Sequence, residues 1–253
     1  MWLREKRTQT AQGKGKMKKA IIVGATSGSG KELASILSQN SYVVGSVGRR
    51  THLLNEFKRE FPDSFTKSID VSKTSEAINQ FKEFISEMNG VDLVVISSGV
   101  GFINHDLQWF QEKETIDVNV SGFTAMANVA MHHFLSKGSG HLVGISSIAA
   151  IRGDGDSPAY SASKAFISNY MAGLRKKGLK AGASIVITDI QSGFVDTAMA
   201  KGEGLFWVAS PLKAAQQIYN AIKMKKRHAY ITKRWRVIGW LMKVMPEFIY
   251  NKL

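Results

Sequence analysis

Residues 19–37 place an apolar run, a glycine-rich turn and a helical pattern in direct succession. Lys19–Val23 reads KAIIV, the signature of a short buried strand. Gly24-Ala25-Thr26-Ser27-Gly28-Ser29-Gly30 follows, and helical apolar spacing then runs through Leu37. Glycines there let a backbone approach a pyrophosphate. The helix N-terminus adds free N–H groups and the positive end of a dipole. The spacing is G-x-x-x-G-x-G rather than the G-x-G-x-x-G of other dinucleotide folds. A tight strand-to-helix turn with no ligand is therefore the competing reading.

The same alternation continues along the chain. Strands are predicted at Tyr42–Val47, Ser64–Ile69, Val91–Ile96, His141–Ile145, Ser184–Ile190 and Ala229–Thr232. Helical patterns lie between them: one ending at Met88, one from Asp106 to Leu135, one from Tyr160 to Lys176 and one at Pro211–Lys223. Strands separated by helices need crossover connections, so the expected fold is α/β. It is a Rossmann-type doubly wound parallel sheet of about seven strands flanked by helices. Nothing in the composition marks a second domain. The expected layout is a disordered basic tail at 1–16, one nucleotide-binding domain at 17–232 and an amphipathic basic, aromatic helix at 233–253.

Composition closes off several functions. The 253 residues contain no cysteine, which excludes disulfides, a thiolate nucleophile and Cys-based metal or cluster sites. His132 and His133 are adjacent, point to different sides of a helix and cannot chelate together, so no metal site is expected. No apolar run is long enough to span a bilayer. The net charge of +14 favours phosphorylated ligands or an anionic surface. Nucleic acid is not expected, because the basic residues gather in the tails rather than among aromatics on one face.

Two further groups point to chemistry. The second strand ends at Gly48-Arg49-Arg50, where dinucleotide folds meet the adenosine ribose. An acid there would bind the 2′-hydroxyl, whereas two arginines suit a 2′-phosphate, so NADP(H) is preferred over NAD(H), with a solvated pair at the helix start as the competing reading. Tyr160 and Lys164 stand at i and i+4, on one face of a helix. An ammonium beside a phenol favours the phenolate, bringing a group that normally titrates near ~10 towards useful acid–base chemistry. Ser147 closes the fifth strand and can meet the start of that helix in one pocket.

Over residues 17–232 the chain resembles the short-chain dehydrogenase/reductases. Gly24-x-x-x-Gly28-x-Gly30, Asp70-Val71, Asn119, Ser147 and Tyr160-x-x-x-Lys164 occur in that family's order and approximate spacing. The resemblance implies an NAD(P)-dependent carbonyl/alcohol oxidoreductase acting on a small ketone or secondary alcohol. Tyr160 would donate the proton, Ser147 polarise the carbonyl oxygen, and Lys164 bind the nicotinamide ribose and lower the Tyr160 pKa. Asn119 would hold a relay water. Thr26, Ser27 and Ser29 lie in the phosphate turn, Asp70 and Val71 near adenine, and Ser98-Gly99 at the fourth strand end. Gly193, Val195 and Thr197 would meet the carboxamide. A homodimer or homotetramer is implied as well.

The chain also departs from that pattern. Val23 stands where the family usually has Thr, Ile96-Ser97-Ser98-Gly99 replaces Asn-Asn-Ala-Gly, and Ser192-Gly193 replaces Pro-Gly. Leu205, Phe206, Trp207 and Val208 lie between Thr197 and Pro211, where a short lid is expected, and suggest an apolar substrate of lipid, steroid or acyl type. An idle NADP-binding regulator or membrane-attached scaffold is the alternative reading. The complete Asn119, Ser147, Tyr160 and Lys164 set argues against it. Read as one helix, the C-terminal segment has a polar stripe of Arg236, Gly239, Lys243 and Glu247. Docking on an anionic membrane and packing on the protein are both open for it. A cytoplasmic protein is expected, with peripheral attachment to the membrane through 233–253 if the first reading holds.

Overall fold

The computed structural model describes residues 17–197 and 206–251. The expected tail at 1–16, Leu205 and most of the expected lid lie outside them.

The elements in chain order are β1 (Lys18–Val23), α1 (Gly28–Gln39), β2 (Tyr42–Gly48), α2 (Thr51–Glu60), β3 (Phe65–Ser68), α3 (Thr74–Glu87) and β4 (Leu93–Ile96). They continue with α4 (Trp109–Ile116), α5 (Phe123–Lys137), β5 (Ser139–Ser147), α6 (Pro158–Lys180), β6 (Ser184–Ser192), α7 (Pro211–Lys223), β7 (His228–Ile231), α8 (Trp235–Val244) and α9 (Glu247–Tyr250). Among the described residues the strands form one seven-stranded sheet in the order β3-β2-β1-β4-β5-β6-β7. Every pairing is parallel. The α/β doubly wound expectation holds.

The strand sequences explain the burial. In β1, Ile21 and Val23 enter the cluster under α3, α5 and α6, while Ala20 and Ile22 enter the one under α1 and α7. Alternate side chains thus meet helices on opposite faces, which is why the strand is apolar from Ala20 to Val23 once past its two N-terminal lysines. The sheet order reverses between β1 and β4. The crevice at their carboxyl ends is where such sheets bind ligands.

Two local differences from the predicted elements matter. The long stretch from Asp106 becomes helical only at Trp109, and residues Asp117–Gly122 form a π-helical segment between α4 and α5. Asn119 sits in that segment, and such bulges are frequent at functional sites. The second difference corrects the C-terminus. The segment expected as one helix over 233–253 is broken at Pro246, which ends α8 and leads into the short α9. Proline lacks the amide donor that a continuing helix needs. Gly239, expected on a polar stripe, is instead buried. A Cβ there would come within 2.8 Å of the Tyr230 ring and 3.0 Å of Ile148.

Candidate active site

The turn after β1 is shaped by close backbone approach. Gly24 has φ +92°, and a Cβ on it would lie 2.5 Å from the Ser98 backbone nitrogen. The Gly24 and Ala25 amides donate to the Val47 carbonyl at 2.8 and 3.0 Å, fixing the turn against β2. Gly28 has φ +55°, and a Cβ there would reach Thr197 at 2.9 Å. The structure therefore brings together Gly28 and Thr197, two predicted site residues far apart in sequence. Ser27 caps α1 with extended backbone and no side-chain cap bond, leaving the first-turn amides of α1 for a ligand. The Ser98 hydroxyl is buried and has no partner among the described residues. A cradle that accepts no Cβ, open amides and an orphan hydroxyl fit a dinucleotide phosphate.

Both arginines stand at this turn. The Arg50 guanidinium donates to Thr26 Oγ1 at 2.8 Å and to Ser27 Oγ at 2.6 Å. Arg49 acts on Asp70. Burial pushes the Asp70 carboxyl up, but hydrogen bonds from Ser72 and the charges of Arg49 and Lys73 outweigh it and hold the pKa below the usual value. Val71 is buried in the core, where Gly122 of the π segment packs against its carbonyl.

The catalytic candidates converge on the loop after β4. A Cβ on Gly101 would press 2.7 Å from the Tyr160 ring, and one on Gly99 would lie 3.3 Å from Lys164 Nζ. Asn119 is fully buried. Its Oδ1 accepts from the Val100 amide at 2.9 Å, and its Nδ2 donates to the Val100 carbonyl at 2.8 Å and to Ser163 Oγ at 3.0 Å. The side chain thus clamps the loop that flanks Tyr160. Ser147 Oγ donates to the Ser192 carbonyl at 3.3 Å and accepts from the Ala149 amide at 3.2 Å. Ser146 faces the other way, donating to Asp189 Oδ1 at 2.5 Å.

The expected effect of Lys164 on Tyr160 is not what the structure shows. Burial pushes the Tyr160 phenol up, and only a hydrogen bond with Ser147 pulls it down. Lys164 Nζ lies 5.5 Å from the Tyr160 ring centroid and donates to the Ile145 carbonyl at 3.2 Å. Lys164 is itself brought down to about 8 by burial, an effect the nearby Asp189 carboxylate opposes.

Two features, Asp189 and Trp235, were missed in the sequence. Asp189, buried in the middle of β6, accepts from Ser146 and from Ser168 at 2.8 Å and faces Lys164. An acid inside the apolar run IVITDI was the available signal. Trp235 packs on Gly193 at the end of β6 and is only 3% exposed, with its indole N–H unpartnered. Its ring centroid is 5.2 Å from Phe194 and 5.1 Å from Phe206. Phe206, Trp207 and Val208 are partly exposed around it rather than in the core. Asp154 organises the loop before α6, accepting from the Asp156 amide at 3.1 Å and the Ser157 hydroxyl at 2.8 Å. Asp156 pairs at 3.1 Å with His105, and both are exposed.

The family model described as short chain dehydrogenase matches residues 18–205. An uncharacterized oxidoreductase of Myxococcus xanthus is 34% identical over 245 residues, 92% of this chain and 94% of its own length. The fold is shared with ElxO solved with NADP bound, at TM-score 0.74 and 20% identity over 85% of this chain and 96% of that one. It is also shared with the 3-ketoacyl-(acyl-carrier-protein) reductase of Brucella melitensis complexed with NADH, at TM-score 0.74 and 18% identity over 84% and 95% of the two chains.

Proposed function

This chain belongs to the short chain dehydrogenase family, and from that premise we propose that it is an NADP(H)-dependent oxidoreductase interconverting a ketone and a secondary alcohol. The observation that carries the reading is the convergence of Ser147, Tyr160 and Lys164 beside Gly99 and Gly101, next to the cradle after β1. The nicotinamide supplies or accepts the hydride when bound. The glycine turn and the α1 amides would hold its pyrophosphate, Arg49 and Arg50 its 2′-phosphate, and Asp70 its adenine. Gly193, Val195 and Thr197 would hold the carboxamide, and Lys164 the ribose. Of the two neighbours named above, one carries NADP and the other NADH. The preference for NADP(H) therefore rests on this chain's two arginines.

Tyr160 presents its phenolic proton to the carbonyl oxygen. Its raised pKa keeps it protonated at neutral pH, which suits a proton donor in the reductive direction. Ser147, held at the end of β5 by the Ala149 amide, would turn its single hydroxyl proton from the Ser192 carbonyl to the same oxygen. Asn119 is a positioning residue that holds Val100, and through it the loop packed on Tyr160. Phe194, Phe206 and Trp207, packed around the buried Trp235, would give the substrate side an apolar, aromatic lining suited to a lipid-, steroid- or acyl-like ketone. Exposed Trp109, Phe110 and Phe166 on α4 and α6 suit the homodimer or homotetramer that the family implies.

The test is NADPH oxidation against a panel of ketones, with Tyr160→Phe beside it. The expected result is turnover of apolar ketones by the native chain, and loss of turnover with cofactor affinity retained in the variant. Wild-type protein that binds NADPH but reduces no ketone would refute the reading.

A further inference from the structure

Helix α8 carries apolar residues on two opposite faces. Trp235, Ile238, Gly239 and Met242 recur at helical spacing and face the protein. Trp235 and Gly239 are buried, and Ile238 and Met242 are half-buried. Val237, Trp240, Leu241 and Val244 recur at the same spacing on the opposite side and are exposed, Val237 by 66% and Trp240 by 64%. Arg236 and Lys243 lie between the two stripes. A helix that is apolar on all sides is normally buried all round. Here the inner stripe is satisfied and the outer one is uncovered. Helix α9 carries two more exposed apolar residues, Phe248, 68% exposed, and Ile249.

The surrounding charge says what covers this patch. Between Ala221 and Leu253 the sequence has a single acid, Glu247. Lys223, Lys225, Lys226, Arg227, Lys233, Arg234, Arg236 and Lys243 are all exposed, and none forms an ion pair among the described residues. A second copy docking here through the same patch would bring the same cations face to face. An anionic bilayer instead offers both apolar depth and opposite charge.

The patch is also tied to the active site. Arg152, on the loop between Ser147 and Tyr160, donates to the Met242 carbonyl at 3.1 Å and the Met245 carbonyl at 2.7 Å. Tyr250 donates to the Gly153 carbonyl at 2.8 Å. We propose that α8 and α9 form a docking platform for an anionic lipid bilayer, which sets the loop between Ser147 and Tyr160 against the membrane surface. No helix among the described residues is long and apolar enough to cross a membrane, so the contact is interfacial. The docking does not depend on the redox chemistry proposed above.

The experiment is co-sedimentation of the full chain with vesicles rich in phosphatidylglycerol and with vesicles of phosphatidylcholine alone. Binding to the anionic vesicles, weakened by added salt, is expected. Trp240→Glu/Val244→Glu should lower that affinity at least about tenfold, and Arg236→Glu/Lys243→Glu should lower it for the anionic vesicles only. Both variants should keep native circular dichroism and ketone reduction; Phe248→Glu on α9 serves if the first pair misfolds. The proposal is overturned by wild-type protein that stays in the supernatant with anionic vesicles, or by an apolar-face variant that sediments as well as wild type. It is also overturned if light scattering shows that Trp240→Glu/Val244→Glu splits an oligomer while vesicle binding is absent, because the occupant is then a second copy.

Discussion

Replacing Lys164 with methionine exchanges a buried ammonium for an apolar chain of similar length. Lys164 is 5% exposed, and burial lowers its pKa from 10.5 to about 8. At pH 7 that drop corresponds to about 3 kcal/mol of destabilisation from keeping the charge inside the folded protein. Methionine removes this cost. It also removes the hydrogen bond to the Ile145 carbonyl, a loss of about 1 kcal/mol. Asp189 loses a neighbouring cation but keeps the Ser146 and Ser168 hydroxyls. The net expectation is a variant more stable by about 1–2 kcal/mol at pH 7, a rise of several degrees in Tm for a chain of this size, with turnover lost. The pH dependence follows from linkage. Between about 8 and 10.5 the unfolded chain holds the Lys164 proton and the folded chain does not, so wild-type stability rises with pH through that window. The advantage of the variant should therefore shrink as the pH climbs. Urea unfolding at about pH 7 and about pH 9.5 measures both effects. A variant less stable than wild type at pH 7, or a gap that does not narrow at high pH, would refute the reasoning.

Arg50→Ala should weaken NADPH binding by about tenfold or more while leaving NADH affinity nearly unchanged, because a charged hydrogen bond to phosphate is worth about 1.5–3 kcal/mol; titration of both cofactors checks this. Gly24→Ala should destabilise the fold by about 2–4 kcal/mol, since its Cβ meets the Ser97 and Ser98 backbone in a left-handed conformation, and chemical denaturation reads the loss. His141 is lowered to about 4, first by burial and then by Lys225 and Lys18. The unfolded chain therefore takes up its proton first on acidification. Stability present above pH 6.5 should be lost as the pH falls towards about 4, by up to about 3 kcal/mol, and His141→Gln should flatten that part of the curve.

The central strands were legible because parallel strands buried on both faces must be apolar along their buried length, as AIIV of β1 and LVVI of β4 are. The glycine turn was legible because its backbone geometry admits almost no other residue. Ser147 stood apart from Ser146 by its spacing to Tyr160, and the structure separates them physically: Ser146 turns to Asp189 inside the fold, and Ser147 turns to the Tyr160 side. Asp189 and Trp235 were harder to see. Each matters through a contact across the fold, Asp189 with Lys164 and Trp235 with Gly193, and such pairings leave no periodic trace in either segment.

Local pattern therefore determined the α/β architecture, the order of its elements and the residue types gathered at the carboxyl ends of the strands. These follow from backbone sterics and apolar periodicity, which act over a few residues at a time. Tertiary structure alone decided the direction of the Tyr160 shift, because desolvation depends on everything packed around the ring. It also decided which face of the C-terminal helix is covered. Both faces read as apolar, and only the position of Gly193, Ile148 and Tyr230 selects the one that is buried.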